Sequence, residues 1–279
     1  MLDITTIILT YNEELHIRRC LENVCAFSKK VYVIDSPSTD KTVEICNEFP
    51  NVEVVVHNYP GNQAAQFNWA LDNVQIDTEW ILRLDADEYL LPELIEELQG
   101  KMPNLPNNVS GVTFKRRHIF LGRWMKRGTY PVMILRLFRK GKAVCEQRLM
   151  DEHIELLEGE NLTFENDFVD HNLNNISWWA QKHVNYSVRE AAELLDIEYR
   201  ITGNDSSNRN LSKKTLQKRE LKNKYARQPL FWRSFAYFCY RYFLQLGFLE
   251  GKEGFLWHFL QGWWYRALVD AKIYEIKKT

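Results

Sequence analysis

The N-terminal third of the chain predicts an α/β fold built on a mainly parallel sheet. Short β-branched runs alternate with helix-length stretches, and each run closes in polar, turn-forming residues. Strands that alternate with helices in this way form βαβ units, and their crossovers keep successive strands parallel. Residues 4–9 read as the first strand and residues 14–27 as the helix after it. Residues 31–34 are a second strand, closed by Asp35-Ser36-Pro37-Ser38-Thr39-Asp40. Within that turn, Ser38 to Asp40 can cap a helix over residues 42–49. Residues 52–57 form a third strand and residues 63–74 a third helix. Residues 80–84 are an apolar run too short for a helix, and they read as a buried fourth strand.

Size and composition set the frame. A chain of 279 residues with 45% hydrophobic content buries a full core, as one large domain or two small ones. A net charge of −1 provides no global field to recruit a polyanion, so nucleic acid is not an expected partner. Met1 leads straight into a strand-like run, and no secretion leader is expected. The five cysteines lack CxxC spacing, which points to reduced thiols and away from zinc. No uncharged apolar stretch reaches 18 residues; the nearest, residues 230–248, is broken by Arg233 and Arg241.

The chemistry lies at the strand ends. In a parallel sheet, Thr10 to Asn12, Asp35, and Asp85 with Asp87 fall on one edge and face one crevice, where open α/β sheets bind ligands. If the chain stays extended through Asp85-Ala86-Asp87, residues i and i+2 point the same way, so both carboxylates can converge on one cation. Hard oxygen ligands suit Mg²⁺ or Mn²⁺ carrying a diphosphate. The Asp35 carboxylate can accept a hydrogen bond from a base imide or can cap its own turn. The Tyr11 ring can stack on a base or pack locally. Neither GxGxxG nor GxxxxGK[ST] follows the first strand. A diphosphate therefore has no glycine cradle, and a metal held by Asp85 and Asp87 would compensate its charge.

In order and at fitting intervals, three motifs resemble the family 2 glycosyltransferases of GT-A fold. They are Ile7-Ile8-Leu9-Thr10-Tyr11-Asn12-Glu13-Glu14, the hexapeptide from Asp35 to Asp40, and Leu84-Asp85-Ala86-Asp87-Glu88. The resemblance is strong over residues 4–90. It is closest to bacterial enzymes of lipopolysaccharide-core and capsule assembly, to which Gly122-Arg123-Trp124-Met125 and Arg136-Leu137-Phe138 are also similar. It implies a nucleotide-sugar donor, a UDP-sugar, with Thr10, Tyr11, Glu13 and Asp35 holding the nucleoside. Asp85 and Asp87 would hold Mn²⁺ or Mg²⁺ and the diphosphate. Gln66 and Asn68 fall where the subgroup has a polar helix face near the donor. Two departures are Pro37 in place of glycine, which stiffens the turn, and Ser36 where many relatives carry a second Asp.

The resemblance also implies inversion at the anomeric carbon, for which a base must take the acceptor hydroxyl proton. Glu152 of Asp151-Glu152 matches the family's catalytic acid, with Asp151 in reserve, although the pair reverses the usual Glu-Asp order. Asp170-His171 can add His171 as a late metal ligand. Arg116, Arg117, Lys126 and Arg127 either face an anionic acceptor or are solvated. The resemblance places a GT-A catalytic domain over residues 1–175 and a helical, basic and aromatic extension over residues 176–279.

Within that extension, residues 177–195 read as a helix. Residues 208–227 hold eight Lys or Arg against one Glu, and residues 229–274 are dense in Phe, Trp and Tyr. Residues 250–254 read as a turn between two helices, flanked by Gly247. A basic block beside amphipathic aromatic helices suits a membrane surface. The expected setting is cytoplasmic, peripheral at the inner face of the plasma membrane, with a saccharide or lipid-linked acceptor. A haloacid dehalogenase-like phosphatase also places DxD after an apolar strand, but near the N-terminus and with Thr or Val where Tyr89 stands. A nucleotidyltransferase would need a glycine-rich, basic first loop, and residues 10–14 are acidic.

Overall fold

The computed structural model describes residues 1–146, 152–199 and 213–278. In chain order the elements begin with β1 (Leu2–Thr10), α1 (Ile17–Val24), β2 (Ser28–Asp35), α2 (Thr42–Cys46) and β3 (Val52–Val56). Then come α3 (Gln63–Asn73), β4 (Trp80–Asp85), β5 (Glu88–Leu90), α4 (Pro92–Lys101), β6 (Val109–Phe120) and β7 (Arg123–Trp124). They continue through β8 (Val132–Arg139), β9 (Ala143–Cys145), β10 (Ile154–Leu156), β11 (Glu160–Asp170) and α5 (Ile176–Tyr199). The last are α6 (Lys213–Ala226), α7 (Trp232–Cys239), α8 (Gly251–Trp257) and α9 (Tyr265–Lys278). The chain divides into two units, Met1–Ile119 with Pro131–Leu173, and Phe120–Tyr130 with Asn174–Thr279.

The first unit is a mixed sheet in the order β3-β2-β1-β4-β8-β6-β11-β5. From β3 to β4 every pairing is parallel, as the alternation of strands and helices predicts. Past β4 the sheet turns antiparallel through β8 and β6, then parallel at β11, with β5 antiparallel on its edge. Successive residues of the parallel strands face opposite layers. Ile4, Ile8, Val31, Val33, Leu82 and Leu84 enter one core, and Ile7, Tyr32, Ile34 and Ile81 the other. Burial on both faces is why these strands read as unbroken apolar runs.

Two expectations change here. The helix expected over residues 14–27 begins only at Ile17. The backbone N–H groups of Asn12, Glu13 and Glu14 instead bond Ser38 and Asp40 of the neighbouring loop and Thr42 at the start of α2, which ties residues 12–14 to that segment in a non-helical path, with Asn12 at φ 54°. The DXD segment is not extended throughout either. β4 ends at Asp85, Ala86 and Asp87 form a turn, and Glu88 opens β5. The chain leaves the line of β4 there because Glu88 to Leu90 pair with Phe168 to Asp170 of β11.

In the second unit, α5 and α9 share a core through Ala191, Leu194, Tyr265, Val269 and Ile273. Residues 120–130 join it through Phe120 and Met125 against Trp257. The buried carboxylate of Glu250 accepts the backbone N–H groups of Lys126 and Arg127 at 2.5 and 2.9 Å. The turn expected at residues 250–254 is instead the first turn of α8. The reversal lies upstream, where Leu246 takes φ 60° and a 3₁₀ turn covers Gly247–Glu250. Among the described residues, no helix is long and apolar enough to cross a membrane.

A buried ion pair ties α7 to α9. Asp270 Oδ1 accepts Arg233 Nε at 2.7 Å and lies 2.6 Å from Nη2 as an ion pair, and its other oxygen takes the Phe231 N–H at 2.8 Å. Removing one partner of such a pair strands the other charge and costs roughly 3–5 kcal/mol. Asp270→Ala is therefore expected to lose about 3 kcal/mol of stability in urea denaturation. An Arg233→Met, Asp270→Leu double substitution should recover much of that loss. A single-variant loss within experimental error would show the pair to be dispensable.

Candidate active site

The carboxyl ends of β1 and β2 are locked to each other by side chains. Asp35 Oδ1 accepts the Thr10 hydroxyl at 2.8 Å and the Ser38 hydroxyl at 2.6 Å, and Oδ2 accepts the Ser38 N–H at 2.8 Å. Both Thr10 and Asp35 are buried. Asn12 takes φ 54°, which asparagine tolerates, and its amide oxygen accepts the Thr39 N–H. Glu13 pairs with His16 Nδ1 at 2.6 Å, and His16 Nε2 accepts the Leu173 N–H, so the ring proton sits on Nδ1 toward Glu13. Tyr11 projects from this loop with 63% of its surface exposed.

At the end of β4 the acids meet a buried guanidinium. Arg136 Nη2, from β8, reaches Asp85 Oδ2 at 3.0 Å and Glu88 Oε1 at 2.5 Å. The second Glu88 oxygen accepts the Asp85 N–H at 3.0 Å. Burial alone would lower the Arg136 pKa, but Glu88 and Asp85 more than offset it and keep the guanidinium charged. Burial also works against the charge on Asp85, where Arg136 and Arg83 win and hold the carboxyl below its ordinary range. Among the described residues, no cation pairs with the Asp87 carboxylate. Burial, with Asp170 and Asp85 nearby, pushes its carboxyl up to about 6, and Asn172 donates to its Oδ2 at 2.9 Å. Glu88 is pushed up to about 8 by burial, against the pull of Arg136.

His171 follows β11 and lies beside this group. Its N–H donates to the Asp87 carbonyl at 3.0 Å, and Arg19 Nη1 sits 3.2 Å from its Nδ1. As acceptor from arginine, Nδ1 is unprotonated and the ring proton is on Nε2. Burial and the Arg19 charge lower the His171 pKa. Among the described residues, no group of three or more His, Cys, Asp or Glu side chains is gathered to hold a metal. Two carboxylates at a strand end do fit an Mg²⁺ or Mn²⁺ ion that brings phosphate oxygens to complete its shell.

Gln66 and Asn68 are tied into the framework. Gln66 is buried and bonds the His57 ring at 2.7 Å, the His57 carbonyl and the Ser36 hydroxyl. Asn68 grips both backbone groups of Cys145, donating to its carbonyl at 2.7 Å and accepting its N–H at 2.8 Å. It thus fastens the β9–β10 hairpin to α3. Glu152 lies in that hairpin's loop, closed by the Glu146 N–H on the His153 carbonyl. The Cys145 thiol is raised by burial; Arg83 opposes the shift and Glu152 adds to it, so Glu152 and Arg83 of β4 both bear on one sulfur. Asp151 lies outside the described residues. Arg116 and Arg117 are paired with Asp170 and Asp167, at 3.3 and 2.6 Å, rather than solvated.

The residues that motif reading passed over are Arg136, Glu88, Arg83 and Asn172. The signal for the arginines was present: each interrupts an apolar strand, Met133-Ile134-Leu135-Arg136-Leu137-Phe138 and Trp80-Ile81-Leu82-Arg83-Leu84. A charge buried in that way requires a carboxylate nearby. Nothing local marks Asn172, which reaches Asp87 from 85 positions along the chain.

Comparisons with known proteins agree with this geometry. The model of glycosyl transferase family 2 matches residues 5–159. An uncharacterized glycosyltransferase of Rickettsia typhi is 35% identical over 99 residues, which cover 36% of this chain and 32% of the relative. The SPbeta prophage-derived glycosyltransferase SunS of Bacillus subtilis is 36% identical over 87 residues, or 30% of this chain and 20% of the relative. The matched stretch thus spans a third or less of these relatives' own lengths. A mannosyltransferase of Pyrobaculum calidifontis, solved with GDP-Man and Mn²⁺, superimposes with a TM-score of 0.57 at 15% identity, over 99% of this chain and 88% of that one. The fold is GT-A, and the chain belongs to glycosyl transferase family 2.

Proposed function

We propose that the protein transfers a sugar from a nucleotide-sugar to a hydroxyl acceptor with inversion at the anomeric carbon. The observation that carries this reading is the meeting of the Thr10–Asp35–Ser38 network and the Asp85–Glu88–Arg136 group along one edge of the parallel strands. The first network buries Asp35 as a cap of its own turn and leaves Tyr11 exposed, which suits stacking on a nucleoside base, and the motifs resemble those of UDP-sugar enzymes. The archaeal neighbour's GDP-Man keeps guanosine donors within the test. A divalent cation, Mn²⁺ or Mg²⁺, would be held by Asp85 and Asp87 and would compensate the charge of the departing diphosphate. His171 joins that shell only if Arg19 releases its Nδ1 or the ring proton moves off Nε2.

Glu152 is the proposed base. It accepts the acceptor's hydroxyl proton as that oxygen attacks the anomeric carbon from the face opposite the diphosphate, and the bond from sugar to diphosphate breaks. Asn68 positions this step indirectly by fixing the backbone of Cys145. Asp151 remains the reserve for the same role. In turnover with a panel of UDP- and GDP-sugars, Glu152→Gln should lose about 10²–10⁴-fold in rate, the usual range for a general base. Its donor affinity should be unchanged. Near-parent turnover in Glu152→Gln, with a loss confined to Asp151→Asn, would move the base back by one residue.

The acceptor is proposed to be a saccharide or lipid-linked glycan of a bacterial surface polysaccharide, lipopolysaccharide or capsule, met at the inner face of the plasma membrane. Support comes from the second unit. Ring contacts run in series from Trp232 through Phe235, Trp263, Phe259 and Phe255 to Tyr242. Beside them, Trp232 is 72% exposed and Leu244 is 76% exposed. Residues 229–249 contain no acid, and their two arginines, Arg233 and Arg241, are buried. Such a surface suits shallow insertion, and basic residues add attraction to anionic headgroups. The protein should co-sediment with vesicles containing anionic lipid, less so at high salt, and Trp232→Glu with Leu244→Glu should release it. Equal partitioning of parent and variant would refute membrane contact by this surface.

A further inference from the structure

We propose that Arg136, pinned by Glu88, is the resident counter-ion of Asp85 and makes divalent-cation binding conditional on the nucleotide diphosphate. The inference rests on the reading of Asp85 and Asp87 as the residues that receive the cation. Arg136 lies within an apolar strand and is 5% exposed. A guanidinium in that position is stable only when paired. One of its partners cannot move away: Glu88 is 1% exposed and its second oxygen is bonded to the Asp85 N–H. The other partner, the Asp85 side chain, is 37% exposed at the crevice. Arg136 is therefore fixed from behind by Glu88 and offers its charge to Asp85 in front.

The neighbouring groups are held in place by hydrogen bonds. Asp87 Oδ2 is met by Asn172, its carbonyl by Arg19 and the His171 N–H, and His171 Nδ1 by Arg19. Asp170 pairs with Arg116. Asp85 already has Arg136 and Arg83 as counter-charges, whereas Asp87 faces the carboxylates of Asp170 and Asp85. A bare divalent cation would have to draw Asp85 from Arg136 and place two positive charges beside that guanidinium, and a low-dielectric site penalises that. A cation arriving with a diphosphate brings its own anion. Asp85 can then turn to the metal while Arg136 keeps Glu88. By linkage, the cation must tighten nucleotide binding by the same factor as the nucleotide tightens the cation.

The test is Mn²⁺ binding to the full chain, read from the paramagnetic resonance of free Mn²⁺, without nucleotide and with saturating UDP or GDP. Nucleotide is expected to tighten Mn²⁺ by on the order of tenfold or more, within the range of ordinary coupling between sites. Arg136→Met should tighten Mn²⁺ in the absence of nucleotide by a similar factor and shrink the nucleotide effect. Arg136→Lys, which keeps the charge, should stay near the parent. A residue that merely supported the fold would weaken metal binding when replaced. Equal Mn²⁺ affinity with and without nucleotide in the parent overturns the proposal, with no variant required. So does an Arg136→Met protein that binds Mn²⁺ alone no better than the parent. Absence of Mn²⁺ binding under every condition would instead remove Asp85 and Asp87 as the metal site, and this inference with them.

Discussion

Arg136 sits inside an apolar strand, and its charge has to be met within the protein. That requirement organises the end of β4. The chain turns at Ala86 and Asp87 into β5, where pairing with β11 and the bond to the guanidinium together hold Glu88 buried. The turn puts the second acid of the DXD pair against Asn172 and the backbone of His171, at the end of β11. Asp85, still in β4, stays half-buried at the crevice, as does Asp87. Arg136 neutralises Asp85, and the uncompensated Asp87 carries the raised carboxyl. One buried cation therefore separates the two acids, holding Asp85 down while Asp87 rises with burial and its acidic neighbours.

The parallel half of the sheet was legible because each of its strands is buried on both faces and reads as an apolar run closed by a polar end. Thr10, Asp35 and Asp85 were found by that rule, and the structure places Thr10 and Asp35 in one hydrogen-bonded unit. Past Glu88 the sheet depends on pairings between distant segments, β8 with β4 and β11 with β5, which no local pattern encodes. The same limit explains Gln66 and Asn68. Their polar face was visible on α3, but whether it meets a ligand or backbone depends on where β9 lies, and it meets Cys145 and His57. The helix expected from residue 14 begins later for a comparable reason, since residues 12–14 are tied to the segment after β2, a contact that no local pattern encodes.

The second unit carries different information. Its core rests on a small apolar cluster and a buried arginine–aspartate pair, while much of its aromatic surface faces outward. Composition announced the aromatic density but not its division. Phe238, Trp257 and Tyr265 are core, whereas Trp232, Phe243 and Leu244 are exposed. In a helical segment with irregular π turns at Tyr240–Leu244 and His258–Trp264, a fixed 3.6-residue period does not predict which ring turns inward.

Asp85 is expected to leave Arg136 for a cation that arrives with a diphosphate, while Arg136 stays on Glu88. Anomalous diffraction at the manganese edge, from crystals grown with Mn²⁺ and UDP, tests this most directly. One strong peak is expected within coordination distance of Asp85 and Asp87 carboxylate oxygens and of the diphosphate, with the Arg136–Glu88 contact kept. A manganese peak elsewhere, with Asp85 still on Arg136, would contradict it.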